Sequence, residues 1–182
     1  MSAVAYPHGV EVRELSAHVD GRGSLTEIHR DSWHDLEIVQ WVAVHARRNA
    51  LRGLHAHFDR WELYVLLSGR AFVAMRDIRQ GSPTLDSVAS IELDAARPCI
   101  LRMPPAVLHG MYFREDSHLV IGFSAYFAGL SEDGCRWDDP ETGITWPCSA
   151  PILSARDASL PGYSQFLREI GSAPTLPSGK GR

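Results

Sequence analysis

The sequence of 182 residues predicts an all-β barrel or sandwich with one short helix after it. Short apolar runs separated by turn signals extend from residue 10 to residue 127, and their spacing of roughly 8 to 12 residues is typical of antiparallel strands. The turns carry glycine, aspartate and serine, as in Asp20-Gly21 and Ser68-Gly69. Good helix signals occur only in one late segment, so the fold class is all-β.

Ten strands are predicted in chain order, each an apolar run bounded by turn signals. They cover residues 10–15, 24–29, 37–44, 51–57, 62–67, 71–77, 87–93, 100–103, 110–114 and 119–127. Residues 129–151, rich in Gly, Asp, Pro and Trp, predict an ordered loop. Residues 161–170 predict a helix that begins with a proline and stops at Gly171. We expect one domain over residues 1–170 and a disordered tail over residues 171–182.

Composition argues against several classes of function. The net charge is −4 and no basic stripe is present, so we expect no nucleic-acid or membrane partner. No apolar run reaches the roughly 18 residues of a membrane span, and no signal peptide is expected. The scattered Cys99, Cys135 and Cys148 predict free thiols and a cytoplasmic location. The only lysine, Lys180, lies in the tail, which excludes lysine chemistry inside the domain.

A cluster of metal-ligand residue types lies in the stretch GLHAHFDRWELYVLLSG, which covers residues 53–69. His55 and His57 are two residues apart, so on a strand they leave the same face. A hairpin would bring Glu62 back beside them, and His109 would come from a later strand. Three imidazoles and one carboxylate suit Fe, Mn, Ni, Zn or Cu, among which the sequence does not choose. The alternative is that the barrel buries these histidines without a metal or uses one as a base.

This pattern, G-x-H-x-H-x4-E-x6-G followed by P-x-A-x-x-H, resembles the two motifs of the cupin superfamily. The resemblance implies a cupin jelly-roll β-barrel with a divalent metal held by His55, His57, Glu62 and His109. No organic cofactor is implied.

A second series of motifs covers residues 10–158 and is more specific. Its members are Asp20-Gly21-Arg22-Gly23, Leu51-Arg52-Gly53-Leu54-His55, Asp77-Ile78-Arg79, Gly81-Ser82-Pro83-Thr84, His109-Gly110, Trp137-Asp138-Asp139-Pro140, Gly143-Ile144-Thr145-Trp146-Pro147 and Leu153-Ser154-Ala155-Arg156-Asp157. In this order they resemble the dTDP-4-dehydrorhamnose 3,5-epimerase family, itself a cupin family.

The epimerase resemblance implies a homodimer that exchanges N-terminal strands and binds a thymidine diphosphate sugar with a 4-keto group. It implies that His55 removes the proton next to the ketone and that Asp157 orients His55. The residues it places against nucleotide, diphosphate or sugar are Arg22, Glu27, Gln40, Arg52, Tyr126, Glu132 and Arg156. The resulting carbanion is delocalised as an enolate, whose oxygen needs a positive partner.

Four positions depart from the epimerase pattern. Glu62 stands where the family has a lysine near the keto oxygen, and His57 stands where it has a glutamine. Ile121 replaces the family's tyrosine acid, and Val42 replaces an asparagine. The family's standard mechanism is therefore not expected in unchanged form.

Two of these changes restore a metal-cupin ligand set, so we hypothesise that a divalent metal replaces the lysine as a Lewis acid. If His55 is a metal ligand, it cannot also be the base. Asp157 would then orient the ligating ring of His55. Tyr64, Tyr112, Tyr126 or a metal-bound hydroxide would move protons. Three functions stay open: a keto-sugar-nucleotide epimerase or isomerase, a metal-dependent oxygenase or lyase of specialised metabolism, and a non-catalytic sugar-nucleotide-binding protein.

Overall fold

The computed structural model describes residues 5–33, 35–126 and 133–171, and it contains two five-stranded antiparallel sheets and a separate hairpin. In chain order the strands are β1 (Glu11–Glu14), β2 (Ala17–Asp20), β3 (Gly23–Thr26), β4 (Gln40–Ala46), β5 (Leu51–Ala56), β6 (Glu62–Ser68), β7 (Arg70–Asp77), β8 (Val88–Asp94), β9 (Cys99–Met103), β10 (Val107–Phe113), β11 (Ser117–Phe123) and β12 (Asp133–Gly134). Two single-turn 3-10 helices cover Asp31–Trp33 and Pro140–Thr142, and two α-helices cover α1 (Ala155–Ala158) and α2 (Tyr163–Glu169).

The spatial order of strands is β1-β9-β6-β11-β4 in one sheet and β12-β5-β10-β7-β8 in the other, while β2 pairs only with β3. The main hydrophobic core combines residues of both sheets, among them Leu66 of β6, Val73 of β7 and Phe113 of β10. The predicted all-β class and jelly-roll fold are confirmed. Among the described residues, no helix is long and apolar enough to cross a membrane.

Each of the ten predicted strands overlaps an observed one, and the predicted helix at 161–170 is α2. The sequence analysis missed β2, whose residues are all exposed, and the short β12. Within the predicted loop, Asp139 caps the 3-10 helix Pro140–Thr142 by accepting from the Glu141 backbone N–H at 2.9 Å. Asp139 of the WDDP segment therefore acts as a helix cap.

The expected hairpin between residues 51–57 and 62–67 is wrong. β5 pairs with β10 and β12, whereas β6 pairs with β9 and β11 in the other sheet. The residues between β5 and β6 carry the chain from one sheet to the other. His55 and Glu62 therefore lie on different sheets, and the space between the sheets separates their strands.

The two helices lie outside the strands and support β5. Buried Tyr163 and Phe166 of α2 share a second hydrophobic cluster with Leu54 of β5 and Leu108 of β10. The single turn α1 begins at Ser154, whose hydroxyl accepts from the Asp157 backbone N–H at 3.0 Å. This cap fixes where Asp157 meets β5.

Candidate active site

A cavity of about 430 Å³ opens between the two sheets at the end where β5, β6 and β10 come together. Its polar side chains come mainly from β5, β6, β10 and the α1 segment. Its apolar lining is formed by Val44, Val73, Met111, Phe113, Leu119, Ile121 and Phe123. A mostly apolar pocket with a few converging polar groups is typical of a small-molecule site.

His55 and Asp157 form a hydrogen-bonded pair in this cavity. The Nε2 atom of His55 lies 2.8 Å from Oδ1 of Asp157, and the backbone N–H of Gly53 donates to Oδ2 at 3.5 Å. Burial favours a higher pKa for Asp157, but the hydrogen bonds from His55 and Gly53 outweigh it and hold the pKa below its usual value. Because an ionised carboxylate only accepts, Nε2 carries the proton and Nδ1 is left with a basic lone pair.

Gly53 is required because β5 and β10 approach each other closely at this position. Its φ is +126°, and a Cβ atom added there would lie 2.6 Å from the Cα atom of Gly110. Only glycine combines this backbone angle with this contact. The close approach sets His55 opposite His109 in the strand register, so the motif glycine has a structural role in placing the site.

A second group of polar side chains lies deeper in the cavity. Glu62 Oε1 is 3.5 Å from Nε2 of His57, and Glu62 Oε2 is 3.3 Å from Nε2 of His109. The hydroxyl of Tyr64 contacts Glu62 Oε2 and lies 2.9 Å from Nε2 of His109. Arg60, also fully buried, lies 3.3 Å from Glu62 Oε1 through its Nε. Four polar side chains therefore surround one buried carboxylate.

The charges in this group follow from these contacts. Burial alone favours a raised pKa for Glu62, but its hydrogen bond with His109, nearby His57 and the Tyr64 hydroxyl lower it to about 2, so Glu62 is ionised. Burial lowers the pKa of His57 to about 3 despite the neighbouring carboxylate, so this ring is neutral. Arg60 Nη2 donates to Nδ1 of His57 at 2.8 Å. The proton of His57 is therefore on Nε2.

The predicted four-ligand metal set does not converge. His57, Glu62 and His109 offer ligand atoms within 4.8 Å of one another, whereas Nε2 of His55 is turned to Asp157. A metal-ligating histidine normally donates its other N–H to an acceptor, but Nδ1 of His57 faces the Arg60 donor. A dication would also lie beside a buried guanidinium. The residues present therefore fit a metal ion poorly, and no chemical step is derived through one.

The predicted substrate-binding residues are divided by the fold. Arg52 and Arg156 line the cavity together with His55 and Asp157. Three others lie away from it: Arg22 pairs with Asp20 at 2.6 Å on the β2–β3 hairpin, Glu27 pairs with Arg30 at 2.6 Å, and Tyr126 is 73% exposed. Gln40 begins β4, is partly buried and lies on the same face of that strand as the cavity-lining Val44. Glu132 lies outside the described residues.

Sequence reasoning missed Arg60, the buried cation of the site. Arg60 precedes Glu62 by two residues and follows His57 by three, so its closeness to both could have suggested a charge partner. Isolated arginines are mostly exposed, however, and nothing local in the sequence showed that this one is buried.

Comparisons with known proteins agree on one family. A family model described as dTDP-4-dehydrorhamnose 3,5-epimerase matches residues 7–165. The dTDP-4-dehydrorhamnose 3,5-epimerase of Sinorhizobium fredii is 31% identical over 158 residues, which are 81% of this chain and 81% of that protein. The enzyme of the same description from Neisseria gonorrhoeae is 30% identical, but this chain spans only 50% of its length.

Two solved structures are similar along most of the chain. A 3'-monoepimerase from Streptomyces bikiniensis, in complex with dTDP-quinovose, has a TM-score of 0.85 and 27% identity, covering 94% of this chain and 92% of that one. The rmlC epimerase of Mycobacterium tuberculosis has a TM-score of 0.84 and 29% identity, covering 92% and 90%.

Proposed function

This chain belongs to the dTDP-4-dehydrorhamnose 3,5-epimerase family, and we propose that it transfers protons at a carbon next to the ketone of a 4-keto-6-deoxy sugar nucleotide. The predicted family and the isomerase class of enzyme are confirmed by the match over residues 7–165. The proposal for this chain's own reaction is supported above all by one observation, the 2.8 Å hydrogen bond between His55 and Asp157 in the cavity.

His55 has the geometry of a general base. Nε2–H is held by the Asp157 carboxylate, and the lone pair on Nδ1 is available to take a proton from carbon. The carboxylate also stabilises the imidazolium that forms. A proton next to a ketone can be removed because the electron pair passes into the carbonyl as an enolate.

The enolate oxygen needs a donor, since the family's lysine is Glu62 here. We assign this role to His57, which lines the cavity and whose Nδ1 accepts from Arg60 at 2.8 Å. The Arg60 guanidinium polarises the ring and strengthens its N–H as a donor. A neutral imidazole that faces a developing oxyanion is a known electrophilic device.

The substrate class is supported by two arginines and by the relatives. Arg52 and Arg156 both line the cavity, and the planar guanidinium donates bidentately to phosphate oxygens. The 3'-monoepimerase from Streptomyces bikiniensis was solved with dTDP-quinovose, a nucleotide sugar. We therefore propose a thymidine diphosphate sugar for this chain as well.

We further propose a cytoplasmic homodimer. Among the described residues, the hairpin of β2 and β3 pairs with no other strand, and it exposes Val19 and Leu25 by 76% and 63%. Docking on a second copy would cover these side chains and carry Arg22 and Glu27 toward that copy's cavity. Light scattering tests this: a Leu25→Asp variant should shift toward monomer, and an unchanged dimer would refute a role for the hairpin.

Metal assistance, and the oxygenase, lyase and non-catalytic alternatives, find no support in the comparisons. One observation favours a metal, namely the approach of His57, Glu62 and His109. The Arg60 contact with His57 opposes it.

Proton transfer is tested by incubating the protein with dTDP-4-dehydro-6-deoxyglucose in D₂O and following the ring protons by NMR. We expect deuterium to replace the proton next to the ketone. The His55→Asn variant should lose this exchange by about 100-fold or more. A wild-type protein that binds dTDP but exchanges no faster than a protein-free sample would refute the proposed function.

A further inference from the structure

We propose that Tyr64 is the second proton-transfer residue of this site and delivers a proton to the substrate carbon from the side opposite His55. This inference rests on the proposed function, because it names the acid of the same reaction. Inversion at a carbon requires a base on one face and a proton donor on the other. His55 by itself can remove a proton and return it to the same face, which exchanges hydrogen without inversion.

The position of Tyr64 separates it from the other tyrosines. The chain has five, all within the described residues, and Tyr64 alone lines the cavity. The hydroxyl of Tyr112 donates to Oδ1 of Asn49 at 3.0 Å, and Tyr126 is 73% exposed. Of the three tyrosines that sequence analysis considered for moving protons, Tyr64 is the one that the fold brings to the site.

Tyr64 and His55 face the cavity from different walls. Tyr64 is on β6, in the sheet β1-β9-β6-β11-β4, and His55 is on β5, in the sheet β12-β5-β10-β7-β8. The cavity lies between these sheets and is lined by both residues. Ile121, the register partner of Tyr64 on β11, is aliphatic. A sugar ring held between the sheets would therefore meet a base on one side and a phenol on the other.

The contacts of Tyr64 orient its hydroxyl. Glu62 can only accept, so the hydroxyl donates to Glu62 Oε2, and its oxygen faces Nε2 of His109 at 2.9 Å. The ring of His109 is itself fixed, because Nδ1 donates to the Val107 carbonyl at 2.9 Å. These buried partners hold the phenol in place, and Tyr64 still lines the cavity.

The step balances without an oxidant or reductant. His55 Nδ1 takes the proton from carbon, and the electron pair of the broken C–H bond becomes the enolate. The O–H bond of Tyr64 then breaks, its proton joins the enolate carbon on the opposite face, and the enolate pair forms the new C–H bond. The phenolate regains a proton from water, and His55 returns its proton to water.

The Tyr64→Phe variant separates this role from a structural one, because exchange and inversion are measured in the same sample. In D₂O with dTDP-4-dehydro-6-deoxyglucose, we expect deuterium exchange to stay within about tenfold of wild type while the inverted product falls by about 100-fold or more. The matched control is Tyr112→Phe, which loses a hydroxyl outside the cavity and should keep both. If Tyr64→Phe does not fold, Tyr64→Leu, which suits the aliphatic wall, takes its place.

Two results would overturn the assignment. One is inversion by Tyr64→Phe at the wild-type rate, which would place the acid elsewhere. The other is an equal loss of exchange and inversion in a variant with native melting and native dTDP affinity. Failure of the proposed function is recognisable separately, since the wild-type protein itself would then show no exchange.

Discussion

The Asp157→Asn substitution measures how far His55 depends on its carboxylate partner. The two side chains are joined by a 2.8 Å hydrogen bond at a position where Asp157 is 5% exposed. A hydrogen bond to an ionised group contributes about 1.5–3 kcal/mol. The amide keeps the shape of the carboxylate but not the charge that stabilises the imidazolium. At about 1.4 kcal/mol per factor of ten, the exchange rate should fall roughly 10- to 150-fold.

A turned amide would increase this loss. If the NH₂ group of the new asparagine faced Nε2, the ring would carry its proton on Nδ1 and would have no lone pair toward the substrate. The assay is the initial rate of deuterium incorporation at saturating sugar nucleotide, with folding checked by circular dichroism.

The matched control is Asp138→Asn. Asp138 is an exposed carboxylate that pairs with Arg136 at 3.0 Å outside the cavity, so this variant should exchange at the wild-type rate. An Asp157→Asn protein that is folded and exchanges within twofold of wild type would refute the role given to the His55–Asp157 pair.

The remaining predictions concern the buried supports of the site and the fold. Arg60→Met should lower the free energy of unfolding by about 3–5 kcal/mol in chemical denaturation, because Glu62 loses its buried cation; an unchanged midpoint would contradict the charge assignment. Gly53→Ala should give little folded protein by circular dichroism, since its Cβ would meet the Gly110 Cα at 2.6 Å. A variant that melts like the wild type would argue against this close approach of β5 and β10. Asp77 is fully buried, and the groups that donate to it overcome burial and lower its pKa to about 2. The ionised Asp77 stabilises the folded state fully above the unfolded pKa of about 3.9, and this stabilisation is lost as pH falls toward 2. The free energy of unfolding should therefore fall by about 2–3 kcal/mol between these pH values. Asp77→Asn should flatten the dependence of unfolding free energy on pH in this range. An unchanged slope would contradict the lowered pKa of Asp77.

The fold could be predicted because strand signals are local. Apolar alternation and turn residues marked all ten predicted strands, while the exposed β2 lacked the buried face that produces such a pattern. Strand pairing was harder to predict from the sequence. Glu62 follows His57 by five residues, which suggested a hairpin, but β5 and β6 belong to different sheets. Sequence spacing does not show which sheet a strand joins.

The candidate site could be predicted in part. His55 and Asp157 were identified as a pair from motifs about 100 residues apart, and the structure brings them together. The role of His57 and Glu62 could not be read from residue types, because the same types form a metal site or a charge network. What distinguishes the two is the direction of the Arg60 side chain, which is a property of packing. Arg22 and Glu27 were expected to contact the substrate from the resemblance to the family, but Arg22 lies on the hairpin and Glu27 directly after it, away from this chain's own cavity.

We propose that His55 moves a proton on a 4-keto sugar nucleotide without a bound metal. The most direct test is deuterium exchange by wild-type protein that has been treated with a chelator and analysed for residual metal. We predict that this protein incorporates deuterium next to the ketone of dTDP-4-dehydro-6-deoxyglucose at the untreated rate. Exchange that disappears with the metal and returns on adding Fe, Mn, Ni, Zn or Cu would contradict metal-free proton transfer by His55.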